Sequence, residues 1–446
     1  MMTGVKDTCI FIFRRDFRLY DNTTFIRMIS NWPNVLPIFI FHPVQVDRQQ
    51  NEYFSDHSVR FMIESLEDLN KQLDNKLITF HGDDIDILSS LMSSFSSRIG
   101  CVASNKDITP YAKKRDDKLS SWCRDHDIEY DTDEDYTLLP LGSIKNLQNK
   151  TYQVFAPFLE KIMASTHIPK PRKSKKQATK LTTFPLTNNS IYTLSLEDAY
   201  TRFCKLPRNG PKTVKGGRKH ALKILQKIRQ RNFSQYDETR NIPANDQGTT
   251  KLGAYIKFGC VSIREVYDRI ATTDGYDSGL LRELCFREYY HNIAHFYPEI
   301  LQKQVKKTAQ NMLPLNKKDP IDWFDDKDLL KRWKNGQTGV PFVDAGMRCL
   351  NETGWLHNRM RMVCAMYLVK DLRIDWREGE KYFATKLVDY DAINNNQGWQ
   401  WVMTYRRKFN PYAQNTKYDP ECVFVKKWLP EYKDSTPQEI LRRPKF

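Results

Sequence analysis

Short apolar runs and amphipathic stretches alternate through the first 135 or so residues. The runs Cys9–Phe13, Val35–Phe41, Leu77–Phe80, Ile99–Ala103 and Ile128–Tyr130 are brief and rich in β-branched and aromatic side chains, which predicts strands. Between them, Val59–Leu73 places Phe61, Met62, Leu66, Leu69 and Leu73 at helical spacing, and Asp86–Phe95 and Tyr111–His126 follow the same period. Strand and helix in regular succession predict a doubly wound α/β unit, its parallel sheet covered on both faces. No GxGxxG follows the first strand, so the usual dinucleotide turn is missing and any ligand must be held differently.

Residues 136–205 break this pattern. The stretch KPRKSKKQATK (Lys170–Lys180) is strongly basic and has no apolar periodicity, which reads as a solvated connection rather than an import signal or a phosphate contact. From residue 206 to 446 the pattern becomes nearly all helical, with apolar residues at helical spacing in Ala221–Ile228, Leu280–Phe296 and Trp355–Leu368. Six of the nine tryptophans fall between Trp323 and Trp401, so this large all-α part has an aromatic interior.

With 446 residues the chain exceeds one ordinary core, which agrees with two domains and a linker. An apolar share of 40% with 28% charged residues is that of a globular protein, but a formal charge of +16 points to a polyanionic partner. No run approaches the roughly 20 apolar residues of a membrane helix. The N-terminus reads as a strand rather than a signal peptide. Nine cysteines lie scattered without CxxC or zinc spacing. An intracellular, non-secreted monomer without structural metal, in cytoplasm or nucleus, is the expectation. His291 and His295 stand one helical turn apart but lack the HExxH glutamate and a third ligand. Glu283 and Glu288 are two carboxylates on one helix, with nothing else that suggests sugar chemistry.

The segments carrying most chemistry are TGVPFVDAGMRCLNETGWLHNRMRMVCAMYLVKDLRIDWREGEKYF (Thr338–Phe383) and LVDYDAINNNQGWQW (Leu387–Trp401). With FRRDFRLYDN (Phe13–Asn22), NKDITPYAKKRD (Asn105–Asp116), YQVFAPF (Tyr152–Phe158), TTKLGAYIKFGCVS (Thr249–Ser262) and RELCFREYY (Arg282–Tyr290), they resemble the photolyase and cryptochrome family over almost the whole chain. The resemblance implies an α/β domain joined by a long linker to a helical domain that holds FAD. It is closest to the members that split cyclobutane pyrimidine dimers in UV-damaged DNA, which use reduced, anionic FAD.

Carried over position by position, the resemblance assigns Thr249, Thr250, Lys251, Leu252 and Gly253 to a phosphate cradle, with Gly253 where the family usually has serine. Tyr236, Arg287 and Trp355 match other flavin contacts. Arg361 and Asp389 match an ion pair beside the flavin, and Asp391 matches a residue that accepts hydrogen bonds from the cofactor. Asn395 matches the amide facing flavin N5, with Asn396 beside it; a neutral amide can serve either protonation state of that nitrogen. Trp399, Trp376 and Trp323 match a chain of tryptophans that photoreduces the flavin.

On the substrate side, Glu283 matches a carboxylate that hydrogen-bonds a thymine-type edge. Relatives acting on (6-4) photoproducts usually have glutamine there, and two histidines where this chain has Asn358 and Met362. Splitting by a single electron needs no such acid, so the residues favour dimer repair. Trp401 and Phe286 match aromatic walls for a flipped lesion, with Phe286 replacing a tryptophan, and base stacking on such walls is worth roughly 1–3 kcal/mol. Arg240, Arg359, Arg407 and Gln414 match DNA contacts. Light-signalling cryptochromes often carry a long C-terminal extension, and none follows the helical pattern here. The antenna chromophore stays open between a folate, a deazaflavin, another flavin and none.

Overall fold

In a computed structural model the described residues are 6–95, 98–164, 168–172, 180–183, 192–301 and 323–442. Five parallel strands form one sheet: β1 (Thr8–Phe13), β2 (Asn34–Phe41), β3 (Ile78–His81), β4 (Ile99–Asn105) and β5 (Glu129–Asp133), in the order β3-β2-β1-β4-β5. Strand β1 is wholly buried because its alternate residues feed two cores. Cys9, Phe11 and Phe13 face one, and Ile10 and Ile12 the other. A strand covered on both sides must be apolar throughout, which is why these runs do not alternate.

The connecting helices are α1 (Thr23–Asn31), α2 (Asp56–Gln72), α3 (Asp84–Phe95) and α4 (Pro110–Asp125). The last three match the sequence pattern. Helix α1 escapes it because nine residues are too few for the period to stand out, although Asn22 caps it by accepting from the Phe25 amide. The stretch 136–205 is more than a connection. It contains α5 (Phe155–Met163) and α6 (Leu196–Phe203), and Leu181 and Thr193 bridge to Val35 and Phe80 of the sheet. Residues 173–179 of the basic stretch lie outside the described residues.

The helical part follows with α7 (Arg218–Arg229), α8 (Tyr236–Thr239), α9 (Gly253–Lys257), α10 (Ile263–Asp274), α11 (Gly279–Phe296), α12 (Lys327–Asn335), α13 (Pro341–Thr353), α14 (Asn358–Met366), α15 (Trp376–Lys386) and α16 (Ala392–Thr404). The pattern over Trp355–Leu368 resolves into α14 plus a wider turn over Tyr367–Asp371. Its start moves to Asn358 because the His357 ring caps the helix, its Nδ1 accepting from the Arg359 amide. Among the described residues no helix is long and apolar enough to cross a membrane.

Two devices lock the sheet to the helical part. Phe258 stacks on Phe17 and Phe61, and the Phe17 amide donates to the Phe258 carbonyl. Gly259, at φ +61°, lets the backbone pass so closely that a Cβ would lie 2.2 Å from the Arg15 carbonyl oxygen. Only glycine suits both that conformation and that approach. Beside this seam Asp135 accepts from Arg18, from Arg264 at 2.8 Å and from the Thr23 hydroxyl at 2.7 Å, while Asp21 holds the Arg264 Nε at 2.9 Å. All four charged residues are buried.

Candidate flavin and lesion site

Strand order reverses between β1 and β4, and ligands of open α/β sheets sit outside the carboxyl ends of the strands at such a point. A cavity of about 530 Å³ opens there, with Arg14, Arg15 and Asp107 from the strand ends and Lys257, Tyr390 and Asp391 from the helical part in its walls. The Arg14 guanidinium is paired with Asp84 at 2.9 Å. Asn396, expected at the flavin, lines this cavity.

A second cavity of about 270 Å³ lies within the helical part. It gathers Tyr236, Thr250, Leu252, Gly253, Glu283, Arg287, Arg361, Asp389 and Asp391, nine of the residues singled out from sequence, although they come from five separate stretches of chain. Leu280, Leu284, Val266 and Ile256 form its apolar side, as ligand pockets usually require. Arg361 donates to both oxygens of Asp389 at 2.8 and 3.0 Å. Gly253 makes room for that carboxylate, since a Cβ there would sit 3.0 Å from Asp389 Oδ2. Serine at this position would crowd the pair.

The donor set fits FAD. Arg287 spends Nη1 on Glu288 at 2.8 Å, but its Nη2 is buried with no protein acceptor. The Thr249 hydroxyl is likewise buried without a partner. Buried donors of this kind need an acceptor, which the carbonyl and phosphate oxygens of the cofactor can supply. Lys251, Trp355 and Thr249 stand outside the cavity lining. Lys251 adopts φ +55°, gives its ammonium to the Asp246 carbonyl at 2.8 Å, and lies 5.2 Å from the centre of the Trp355 ring.

Several expectations change. Asp391 has no oxygen left for a cofactor donor. Oδ2 accepts from Arg15 and from the Tyr136 hydroxyl, each at 2.6 Å, and Oδ1 caps α16 by accepting from the amides of Ile393 and Asn394. Burial alone would raise its carboxyl, but the Arg15 guanidinium outweighs this and holds it far below the usual range. Asn395 lies outside both cavity linings. Its amide nitrogen donates to Glu380 Oε1 at 2.9 Å, an orientation that leaves the carbonyl end of the amide free. Arg240 is not a free phosphate ligand: its guanidinium lies 2.6 Å from Glu283. Burial pushes the Glu283 carboxyl up, and Arg240 partly offsets that. Phe286 is not an open wall, because the Phe155 ring covers it at 3.5 Å, near parallel.

Asn358 and Met362 sit one turn apart on α14, the first exposed and the second half-buried. Trp401 is half-buried and stacks on Tyr405 at 4.6 Å. Arg359 donates to Asn241 at 2.7 Å and reaches Gln414 at 3.5 Å, whereas Arg407 is exposed in the loop beyond. Trp399 and Trp376 are buried in one core and Trp323 packs against it. The rings touching Trp399, however, are Phe383 at 5.0 Å and Trp333 at 6.3 Å. Sequence reasoning passed over Arg15, Tyr136, Lys257 and Glu380. Arg15, Lys257 and Glu380 lie inside the quoted motifs, which gave no reason to single them out, whereas Tyr136 lies outside all of them.

Glu380 is buried, and that burial pushes its carboxyl from an ordinary 4.5 to about 7. A raised carboxyl binds a proton that the unfolded chain has released, so stability falls as pH rises from about 4.5 to about 7 and stays lowered above. Glu380→Gln keeps an acceptor for Asn395 and removes the charge. It should stabilise the protein by about 2–3 kcal/mol at pH 8 and by much less at pH 5. Urea unfolding at both values checks this, and equal gains would refute it.

Fold and site together define a two-part cofactor-binding protein, with a parallel α/β sheet docked on a helical body that holds the ligand. Residues 280–445 match the FAD binding domain of DNA photolyase and residues 9–176 match DNA photolyase. The deoxyribodipyrimidine photo-lyase of Alkalihalophilus pseudofirmus is 30% identical over 97% of this chain and 89% of that protein. The archaeal photolyase of Sulfolobus tokodaii, whose crystal structure holds two FAD molecules, superposes with a TM-score of 0.81. It is 34% identical over 97% of this chain and 92% of that one. A Synechocystis cryptochrome, 24% identical over 97% of this chain and 90% of that one, shares the fold with a TM-score of 0.81. The chain belongs to the photolyase/cryptochrome family, and FAD is its cofactor.

Proposed function

We propose that the chain splits cyclobutane pyrimidine dimers in DNA under light. The observation that carries this reading is Glu283, a carboxylate in the same cavity wall as Arg361, Asp389 and Tyr236. In its reduced form, bound FAD supplies the light-absorbing one-electron donor, and the split product returns the electron. Residues of this chain do the rest. Arg287, Thr249, Thr250 and the Arg361–Asp389 pair hold the cofactor, with Lys251 and Trp355 beside them. Asn395, its amide nitrogen held by Glu380, would offer its carbonyl oxygen to a ring N–H of the bound cofactor. Glu283 meets the pyrimidine edge as a hydrogen-bonding carboxyl group whose affinity for protons burial raises and the neighbouring Arg240, 2.6 Å away, partly lowers again.

Asn358 and Met362 provide no acid at the positions where (6-4) enzymes have histidines, which suits a reaction that transfers no oxygen. Trp401, backed by Tyr405, offers the aromatic wall, and Phe286 contributes only the side that Phe155 leaves open. Arg359, Arg407 and Gln414 meet phosphates, and Arg240 joins them only by loosening its pairing with Glu283. Trp399, Trp376 and Trp323 carry electrons to the flavin from an external reductant. The cavity at the strand ends accommodates a second, light-harvesting chromophore; the relative that holds two FAD molecules favours a flavin there.

Irradiating a dimer-containing oligonucleotide with the flavin-loaded, reduced protein tests the reading. Glu283→Ala should lower the yield of monomers about tenfold, the worth of a charge-assisted hydrogen bond, while flavin content changes less than twofold. Absence of any light-dependent monomerisation by the unaltered chain would sink the reading.

A further inference from the structure

Asp391 borders both cavities, and so does Lys257. A single carboxylate therefore forms part of the partition between the carboxyl ends of the sheet and the flavin cavity. Its principal cation does not come from the helical part that carries it. Arg15, the second residue after β1, reaches across to Asp391 at 2.6 Å, and also donates to Asp107 at 3.0 Å and to the Lys257 carbonyl at 3.2 Å. Tyr136 donates to the same carboxylate oxygen, and its ring lies beneath both guanidinium groups, at 4.3 Å from Arg15 and 4.0 Å from Arg287. Since Asp391 has no vacant hydrogen-bonding site on the cavity side, its remaining influence on a ligand is electrostatic. That influence depends on whether Arg15 offsets its charge.

We propose that Arg15 is a positioning residue for the flavin site: crossing from the sheet, it holds and neutralises Asp391 in the cavity wall, and so sets how readily the bound flavin is reduced. The inference rests on reading this cavity as the flavin site. Reduction adds negative charge to the ring system, and a nearby carboxylate without its cation opposes that addition. Charges in a partly buried partition interact strongly enough for one lost cation to shift an equilibrium by about tenfold.

The test is the midpoint potential of bound flavin, measured by anaerobic spectrophotometric titration. In Arg15→Gln the ratio of reduced to oxidised flavin at a given ambient potential should fall about tenfold, or about 30 mV for the two-electron couple. Arg15→Lys, which keeps the charge, should stay within about threefold of the unaltered protein. The double variant Arg15→Gln/Asp391→Asn, which removes both charges and leaves a good helix cap, should also return to that range. A merely structural role would lower thermal stability in all three variants without this charge-ordered pattern. An unchanged potential in Arg15→Gln overturns the proposal, as does a tenfold shift in either of the other two. Should Arg15→Gln release its flavin, Asp391→Asn alone decides: it leaves Arg15 without that carboxylate and should raise the ratio of reduced to oxidised flavin about tenfold, and an unchanged potential there overturns the proposal. An unaltered chain that takes up no flavin would instead overturn the reading of the cavity and this inference with it.

Discussion

Asp389→Ala is expected to strip the flavin from the protein, with retention falling about a hundredfold. Arg361 holds both oxygens of this carboxylate, and the side chains are only 26% and 12% exposed. Removing one member of such a pair leaves the other charged and partly desolvated. A fully buried pair costs roughly 3–5 kcal/mol to break, and the residual exposure of Arg361 reduces that to about 2–3 kcal/mol. Most of that loss falls on the ligand, since the pair stands in the cavity wall and the freed guanidinium can swing into the cavity. Asp389→Asn keeps the acceptor without its charge and should lose less. The ratio of flavin to protein absorbance after gel filtration reads the effect, with far-ultraviolet circular dichroism as the control for folding. Stoichiometric flavin in Asp389→Ala would show that the pair is no part of the cofactor site.

A second large effect is expected at Asp135, far from any chemistry. Asp135→Ala should destabilise the protein by about 3–5 kcal/mol, because buried Arg18 would lose the carboxylate it pairs with and buried Arg264 would keep only Asp21. Burial alone would raise the Asp135 carboxyl, but Arg18 and Arg264 outweigh it and hold it below the ordinary 3.8. A depressed carboxyl contributes stability that is present above its unfolded value and is lost as pH falls through its folded value. The difference between the unaltered protein and Asp135→Asn should accordingly narrow in acid. Guanidinium chloride unfolding at pH 7 and pH 3 would show it. Because Arg18 belongs to the sheet side and Arg264 to α10, loosening should separate the two parts before either melts. A variant of unaltered stability would mean that the quartet is solvated rather than sealed.

These two sites differ in how far they could be read in the chain. The Arg361–Asp389 partnership was legible because both residues sit inside motifs whose order the family shares. The Asp135 quartet was not, since Arg18, Asp21, Asp135 and Arg264 show no common period and meet only when β1, the end of β5 and α10 pack together. Phe286 shows the same limit from the other side. Its identity suggested an open aromatic face, but Phe155, 131 positions earlier, lies flat against it.

What the chain determined by itself is local. A period near two or an unbroken apolar run marks a buried strand, a period of 3.6 marks a helix, and both are set by neighbours a few residues apart. So the strands and the helices α2 to α4 were plain, and so were the residue types that can bind a nucleotide cofactor. Only the tertiary structure decided which of those residues share a wall, which polar groups are already satisfied, and where charge crosses between the two parts. Arg15 and Asp391 stand 376 positions apart. No periodicity reaches that far, because the free energy that joins such groups comes from burying the surfaces around them.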